Sequence, residues 1–250
     1  MKLTDKCYAV LGLGCYPPWV VNAGFICGSG KTLVVDSSSA YLSAQTIYDY
    51  AKAVNPNNEL LLINTEKHLD HIGGNCLFEE KGIPIFGHEL NKRLPQDLES
   101  NINYFNDCIL EEERKSAREE KIFYQNTKLV NPSFKVADGQ IFDIGDAEAK
   151  ILFTPGHTET NISIFIPSEK VIYVGDAVVQ GYLPNILNSD LDGWKQWLNS
   201  LDIISSLDIY WLVPGHGNAL SGNGIRVEIE RIRKILNRAI ETGDPKYAVS

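Results

Sequence analysis

The segment Glu66–His71, with the sequence EKHLDH, concentrates residue types that bind metal ions. Two histidines, an aspartate and a glutamate lie between the apolar run LLINT and a pair of glycines. Imidazole nitrogens and carboxylate oxygens are a donor set suited to zinc, iron or manganese. Residues two apart on an extended segment point the same way, so Glu66 and His68 can face one ion. An ion held here would lower the pKa of a bound water from about 16 towards about 7 and so support hydrolysis at neutral pH.

Three further turns place a metal-binding residue type at the end of an apolar run. They are FTPGHT with His157, YVGDAV with Asp176, and LVPGHG with His216. In layered α/β folds the strand ends and the loops that follow them are where ligands converge. One such histidine alone would favour a structural role, but four turns of this kind in one chain favour a metal site. His88 ends the run IPIFGH without a supporting pattern and is predicted to be structural.

Short β-branched and aromatic runs alternate with helical patterns along the chain. Helices are predicted over Ser43–Val54, behind a serine cap, over Gly193–Leu207 and near Ile225–Glu241. Residues from about 89 to 126 are charged and helical, and we expect an insertion that forms a solvent-exposed pair of helices with salt bridges and shapes the pocket. A lid lined by the aromatic residues of this segment is the alternative. The segment GSGKT resembles part of a phosphate-binding loop, but it leads into a strand and is predicted to be a hairpin turn. The pattern predicts one α/β domain over residues 1–250.

Composition narrows the classes of partner. The chain of 250 residues has a net charge of −9, which disfavours a nucleic-acid partner. No apolar run approaches the roughly 18 to 20 residues that a membrane span needs, and no export signal is recognisable. The five cysteines have no C-x-x-C spacing, which favours a reducing, cytoplasmic setting. We therefore expect a small-molecule substrate, no nucleic acid and no membrane association, with the oligomeric state left open.

The order E-x-H-x-D-H, GH, GD, GH resembles the metallo-β-lactamase superfamily, whose usual first motif is H-x-H-x-D-H. The resemblance spans nearly the whole chain and implies an αββα four-layer sandwich with two metal ions at one edge of its two sheets. It implies that His68 and His157 bind the first ion. It also implies that Asp70, His71 and His216 bind the second ion, with Asp176 bridging the two.

Glu66 stands where the family most often has its first histidine, and two interpretations remain open. In the first, Glu66 is a metal ligand that replaces an imidazole with a harder oxygen donor. Two divalent ions carry +4, and Glu66, Asp70 and Asp176 carry −3, so a bridging hydroxide would make this centre neutral. In the second, Glu66 is not a ligand, and a single ion is held by Asp70, His71 and His216.

The function implied by the resemblance is metal-dependent hydrolysis by a metal-bound hydroxide. We expect two divalent ions, zinc in the first place, with manganese or iron as alternatives. Asp70 is the expected catalytic residue, because it can orient the water and carry a proton to the leaving group. The expected substrate is a small ester, lactone, thioester or amide, β-lactams included. Only 34 residues follow His216, which argues against the glutathione thioester of glyoxalase II-like enzymes. The alternatives are an iron-dependent oxygenase or redox enzyme on the same fold and a metal-free binding protein.

Overall fold

The computed structural model describes residues 1–14, 20–108 and 124–245. Within these ranges the strands form two mixed sheets of six strands each, and in both sheets each strand lies beside its neighbours in the sequence. The first sheet contains β1 (Cys7–Leu13), β2 (Val21–Cys27), β3 (Lys31–Val35), β4 (Glu59–Ile63), β5 (Ile85–Gly87) and β6 (Phe134–Lys135). The second contains β7 (Ile141–Asp143), β8 (Glu148–Phe153), β9 (Ile162–Ile166), β10 (Val171–Tyr173), β11 (Trp211–Val213) and β12 (Leu220–Ser221). The helices are α1 (Tyr41–Val54), α2 (Leu69–Ile72), α3 (Asn75–Glu80), α4 (Pro95–Cys108), α5 (Leu191–Ser205) and α6 (Asn223–Thr242).

The two sheets face each other across an apolar core. Ile26 and Leu33 of the first sheet pack with Ile151, Ile164 and Tyr173 of the second, and all five side chains are buried. Every residue of β9, ISIFI, is buried, because one face of this strand meets the other sheet and its second face meets helices. A continuous apolar run is the pattern expected of a strand that is covered on both faces.

Helices cover the outer face of each sheet. The first sheet packs against α1 and α3 through side chains such as Ala44, Ile47 and Phe78. The second packs against α5 and α6 through side chains such as Trp197 and Ile232. The order is therefore helix, sheet, sheet, helix, and the prediction of an αββα four-layer sandwich is confirmed.

One predicted helix start was wrong. Helix α1 begins at Tyr41, so Ser43 lies within its first turn and not ahead of it. The Ser43 hydroxyl accepts a hydrogen bond from the Ala40 N–H at 3.2 Å. A residue within the first turn therefore closes that turn. The helix therefore begins without a polar side chain at the residue that precedes it. The prediction for GSGKT is confirmed, since β2 and β3 pair as an antiparallel hairpin around Gly28–Gly30.

The predicted insertion contains helix α4, while its residues 109–123 lie outside the described ranges. The extent of the insertion and the single domain over residues 1–250 therefore stay predictions. No helix in the described part of the chain is long and apolar enough to cross a membrane.

Tyr173 joins the two sheets at the centre of the core. Its hydroxyl donates to the carbonyl oxygens of Tyr8, at 3.0 Å, and Phe25, at 3.4 Å. The ring occupies the space that a side chain at Gly24 would need, because a Cβ there would lie 2.3 Å from Tyr173 Cε1 and 2.6 Å from the Tyr8 carbonyl oxygen. A glycine in a strand interior is typical of such a close approach.

We expect Gly24→Ala to lower the free energy of unfolding by about 1–3 kcal/mol, because the added methyl overpacks the joint between the sheets. The matched control is Gly224→Ala in α6, where the nearest atom to an added Cβ is 3.9 Å away. This control should leave stability unchanged or raise it by up to about 1 kcal/mol through helix propensity. Urea unfolding measures both variants, and equal stabilities would contradict the packing argument.

Candidate metal centre

The predicted donors meet at one edge of the sandwich because each follows the carboxyl end of a strand. The donors and the strands before them are Glu66 and His68 after β4, His157 after β8, Asp176 after β10, and His216 after β11. Asp70 and His71 follow in the short helix α2, which begins directly after His68. The change from strand to helix at this point lets one short segment present four donors.

The first group consists of Glu66, His68, His157 and Asp176, whose donor atoms all lie within 4.8 Å of one another. Glu66 Oε1 is 2.8 Å from His68 Nδ1 and 3.6 Å from His157 Nε2. His157 Nε2 is also 3.4 Å from Asp176 Oδ2. Two imidazole nitrogens and two carboxylate oxygens thus converge on one point.

The second group consists of Asp70, His71 and His216, also with donor atoms within 4.8 Å of one another. Asp70 Oδ2 is 3.3 Å from His216 Nε2 and 4.0 Å from His71 Nε2. Asp176 lies between the two groups, since its Oδ1 is 3.3 Å from both His71 Nε2 and His216 Nε2. One carboxylate therefore offers one oxygen to each group.

Hydrogen bonds behind the site fix the orientation of two imidazoles. His216 Nδ1 donates to the carbonyl oxygen of Val20 at 2.7 Å, so its Nε2 points into the site. His71 Nδ1 lies 2.9 Å from Asp36 Oδ2, which turns its Nε2 inward in the same way. A carbonyl or carboxylate behind the outer nitrogen is the arrangement that orients metal-binding histidines.

Two inward atoms make no hydrogen bond to the described residues, although they lie 3.3 Å from each other. His71 Nε2 and Asp176 Oδ1 are buried, and neither makes a hydrogen bond. Buried polar atoms are rarely left in this state, because losing water without a partner costs about 1–3 kcal/mol per group. The donor types, their convergence and these two atoms fit divalent metal ions.

Three carboxylates are confined in this small volume, and the histidines keep them ionised. Burial opposes ionisation of Glu66, but the facing His68 and His157 outweigh it and hold the pKa of Glu66 below its ordinary value. Burial also opposes ionisation of Asp176, whose pKa is held well below its usual range by His216 and His71. The same balance lowers the pKa of Asp70. The site is therefore a concentrated anionic cluster that favours cations.

Glu66 faces the site and not the solvent. Its side chain is completely buried, with Oε1 beside His68 and with Oε2 accepting the Thr158 hydroxyl at 3.0 Å. Thr158 thus holds the carboxylate in one orientation. This geometry fits the interpretation of Glu66 as a metal ligand.

A cavity of about 550 Å³ opens beside the two groups. Its wall includes His68, Asp70 and His216, and also Arg93 and Tyr104 from the predicted insertion. The expectation that residues 89–126 help to shape the substrate pocket is thus supported by this part of the segment.

Sequence reasoning missed Asp36, which supports the site from the end of β3. Asp36 Oδ1 accepts the Thr65 N–H and its Oδ2 accepts the Thr65 hydroxyl, both at 2.7 Å, in addition to the contact with His71. Its backbone has a φ of 60°, which is unusual for a residue other than glycine. A charged residue directly after the buried strand TLVV was the signal that could have revealed it.

His88 belongs to neither donor group. Its Nδ1 accepts the Leu90 N–H at 3.2 Å, and its ring lies 4.7 Å from that of Phe153. These local contacts agree with the predicted structural role. Trp194 and Trp197 of α5 belong to the buried core, and neither lines the described wall of the cavity.

The sequence matches the model of the metallo-beta-lactamase superfamily over residues 16–216. The chain belongs to this superfamily. The match runs from just before β2 to His216, so all seven donors lie inside it. The resemblance noted from the sequence motifs is confirmed.

Individual relatives are distant. The acyl-coenzyme A thioesterase MBLAC2 of Gallus gallus is 25% identical over 79% of this chain and 72% of its own length. A hydroxyacylglutathione hydrolase of Francisella philomiragia is 31% identical over 34% of this chain and 33% of its own length. In structure, a metallo-beta-lactamase family protein of Thermus thermophilus superposes with a TM-score of 0.71 at 21% identity, over 96% of this chain and 82% of that one. The structural likeness confirms the fold.

We expect Asp36→Asn to lower the pKa of His71 in the metal-free protein. Burial alone would lower this pKa, but the nearby carboxylates, Asp36 first among them, raise it well above its ordinary value. The ion pair therefore stabilises the metal-free fold at low pH, and this contribution is lost as the pH rises through the raised pKa. Histidine NMR signals followed against pH measure the change. His88 is the internal control, and an unchanged His71 titration would contradict the assigned role of Asp36.

Proposed function

We propose that this chain is a thioester hydrolase that holds two divalent metal ions. The observation that carries the proposal is the pair of donor groups sharing Asp176, with inward nitrogens oriented from behind. Membership of the metallo-beta-lactamase superfamily supports it, because the match includes every donor.

The proposed ligands follow the two groups. His68 Nδ1, His157 Nε2 and Glu66 Oε1 would hold the first ion, as their mutual distances allow. Asp70, His71 and His216 would hold the second, and Asp176 would bridge the two. Zinc suits this set of imidazoles and carboxylates, while the third carboxylate also suits manganese or iron.

When bound, such ions activate water as a nucleophile and polarise the carbonyl that it attacks. Asp70 reaches into the cavity and is partly exposed, so it can accept a hydrogen bond from the attacking water and orient it. Its lowered pKa keeps it ionised, which suits an acceptor better than a proton donor. We therefore assign orientation of water to Asp70, and delivery of a proton to the leaving group as a secondary role.

The proposed substrate class rests on the relatives. One is named an acyl-coenzyme A thioesterase and another a hydroxyacylglutathione hydrolase, so both names describe hydrolysis of an acyl group on a thiol-bearing carrier. A cavity of about 550 Å³ is within the usual range for small-ligand pockets. We also propose a cytoplasmic setting, which the free thiols of Cys7, Cys27 and Cys76 support.

Metal content tests the ligand assignment. We expect two ions per wild-type chain and one per Glu66→Gln chain, because glutamine keeps the shape of the side chain but removes the charge. Elemental analysis after expression with zinc, manganese or iron gives the count and the preferred metal. The control is Glu159→Gln, since Glu159 pairs with Lys67 nearby and belongs to neither donor group. Two ions in both variants would remove Glu66 from the ligand set.

Activity tests the substrate class. The metal-loaded wild type should release thiol from acetyl-coenzyme A faster than it cleaves the matched oxygen ester or a β-lactam, and S-lactoylglutathione tests whether a glutathione thioester is also accepted. Asp70→Asn should lower kcat by about 100-fold or more, since a positioned catalytic group contributes roughly 10²–10⁴-fold. Free thiol is followed with a chromogenic disulfide. A metal-loaded protein that opens β-lactams but releases no thiol would replace the thioester with an amide substrate.

A further inference from the structure

We propose that Arg93 binds a carboxylate carried by the substrate and thereby sets its specificity. The inference rests on the proposed function for the thioester, and it adds an anionic group to that substrate. Its basis is the position of one guanidinium in the wall of the same cavity as the candidate metal ligands.

Among the described residues that line the cavity, Arg93 is the one lysine or arginine. The chain as a whole carries a net charge of −9, and the candidate centre with its two ions and a hydroxide would be neutral and so offer no excess positive charge. Such a field repels an anionic substrate unless a local cation compensates. A cation at this position therefore changes which substrates the cavity can hold.

The guanidinium of Arg93 keeps unused hydrogen-bonding capacity. Its Nε lies 3.2 Å from Asp97 Oδ2, yet it is buried and makes no hydrogen bond with the described residues. Asp97 Oδ2 already accepts the Leu94 N–H at 2.9 Å, so this carboxylate also serves the backbone at the start of α4. A guanidinium has five donors in a planar fork that matches a carboxylate, and among the described residues the fork of Arg93 has one ion-pair partner, Asp97.

The backbone of Arg93 is held in place by two hydrogen bonds with the side-chain amide of Asn131. Its N–H donates to Asn131 Oδ1 at 2.8 Å, and its carbonyl accepts from Asn131 Nδ2 at 3.0 Å. Helix α4 begins two residues later, at Pro95. The backbone from which the Arg93 side chain extends is thus fixed, which lowers the part of the entropy cost of binding an anion that comes from ordering this loop.

The neighbouring side chains favour a carboxylate over a phosphate. Asn101, Asn185 and Asn188 line the same cavity and offer neutral amide donors. One guanidinium balances the single charge of a carboxylate, whereas a phosphate monoester at neutral pH carries about −1.5 to −2. A thioester with one carboxylate, on either its acyl or its thiol part, fits this set.

Matched substrates test the proposal. One pair is the adipoyl thioester of N-acetylcysteamine and its terminal amide, which places the charge on the acyl part. The other pair is the butyryl thioester of 3-mercaptopropionate and that of 3-mercaptopropionamide, which places it on the thiol part. In one of the two pairs, we expect wild-type kcat/KM to be about 10- to 100-fold higher for the carboxylate member than for the amide member. This is the usual contribution of a charge-assisted hydrogen bond.

Arg93→Gln should abolish this preference, because it should lower kcat/KM for the carboxylate member by about 10- to 100-fold more than for the amide member. Arg93→Lys should retain part of the preference. Both variants should fold, because they keep the backbone hydrogen bonds with Asn131. The ion pair with Asp97 that Arg93→Gln removes is partly exposed, so its loss should cost little stability. Arg233→Gln is the control, because Arg233 pairs with Asp202 and Glu230 away from the cavity. A preference that persists in Arg93→Gln, or equal losses for both members of a pair, would overturn the proposal.

Binding separates this proposal from the thioesterase activity. If no thioester is hydrolysed under any metal condition, the proposed function fails, and calorimetry with adipate and its monoamide then decides the role of Arg93. Tighter binding of adipate to the wild type, lost in Arg93→Gln, supports the anion site without the activity. Equal affinities in wild type and variant exclude it.

Discussion

The confinement of Glu66, Asp70 and Asp176 in one small volume is the constraint on which the rest of the site depends. Burial opposes the ionisation of each carboxylate, and imidazoles at about hydrogen-bond distance keep it ionised. Positive charge must be supplied for this cluster to exist inside a folded protein. The histidines supply part of it, and two divalent ions would supply the remainder. The same cations would therefore balance the buried negative charge in the folded protein and provide the proposed chemistry.

The sandwich meets this constraint by geometry. The parallel pairing of β10 with β11 brings the turns that carry Asp176 and His216 to the same edge of the second sheet. The first sheet supplies β4 and the short helix after it. Because Tyr173 ties the sheets together through backbone carbonyls of β1 and β2, the two halves of the donor set are held at a fixed separation. The rigid core therefore sets the distances on which the site depends.

The sequence predicted the four-layer fold, and the seven residues that it proposed as metal ligands lie together at one edge of that fold. The signals behind both predictions are local. Strands and the turns after them can be recognised in the sequence, because hydrophobic periodicity and glycine are strong signals. The start of α1 was misplaced because a serine inside the first turn can satisfy the same N–H groups as one ahead of it. Asp36 and Arg93 were missed because their roles depend on contacts with distant residues, His71 and the cavity wall, which one sequence does not reveal.

The two hydrogen bonds between Arg93 and Asn131 join the ends of the segment that contains α4. Leu98 of α4 packs with Leu69 and Ile72 of α2, the helix that carries Asp70 and His71. The segment is thus closed at its two ends and also contacts the donor edge through α4. A change of sequence in α4 would therefore be transmitted to the candidate metal centre as well as to the cavity wall.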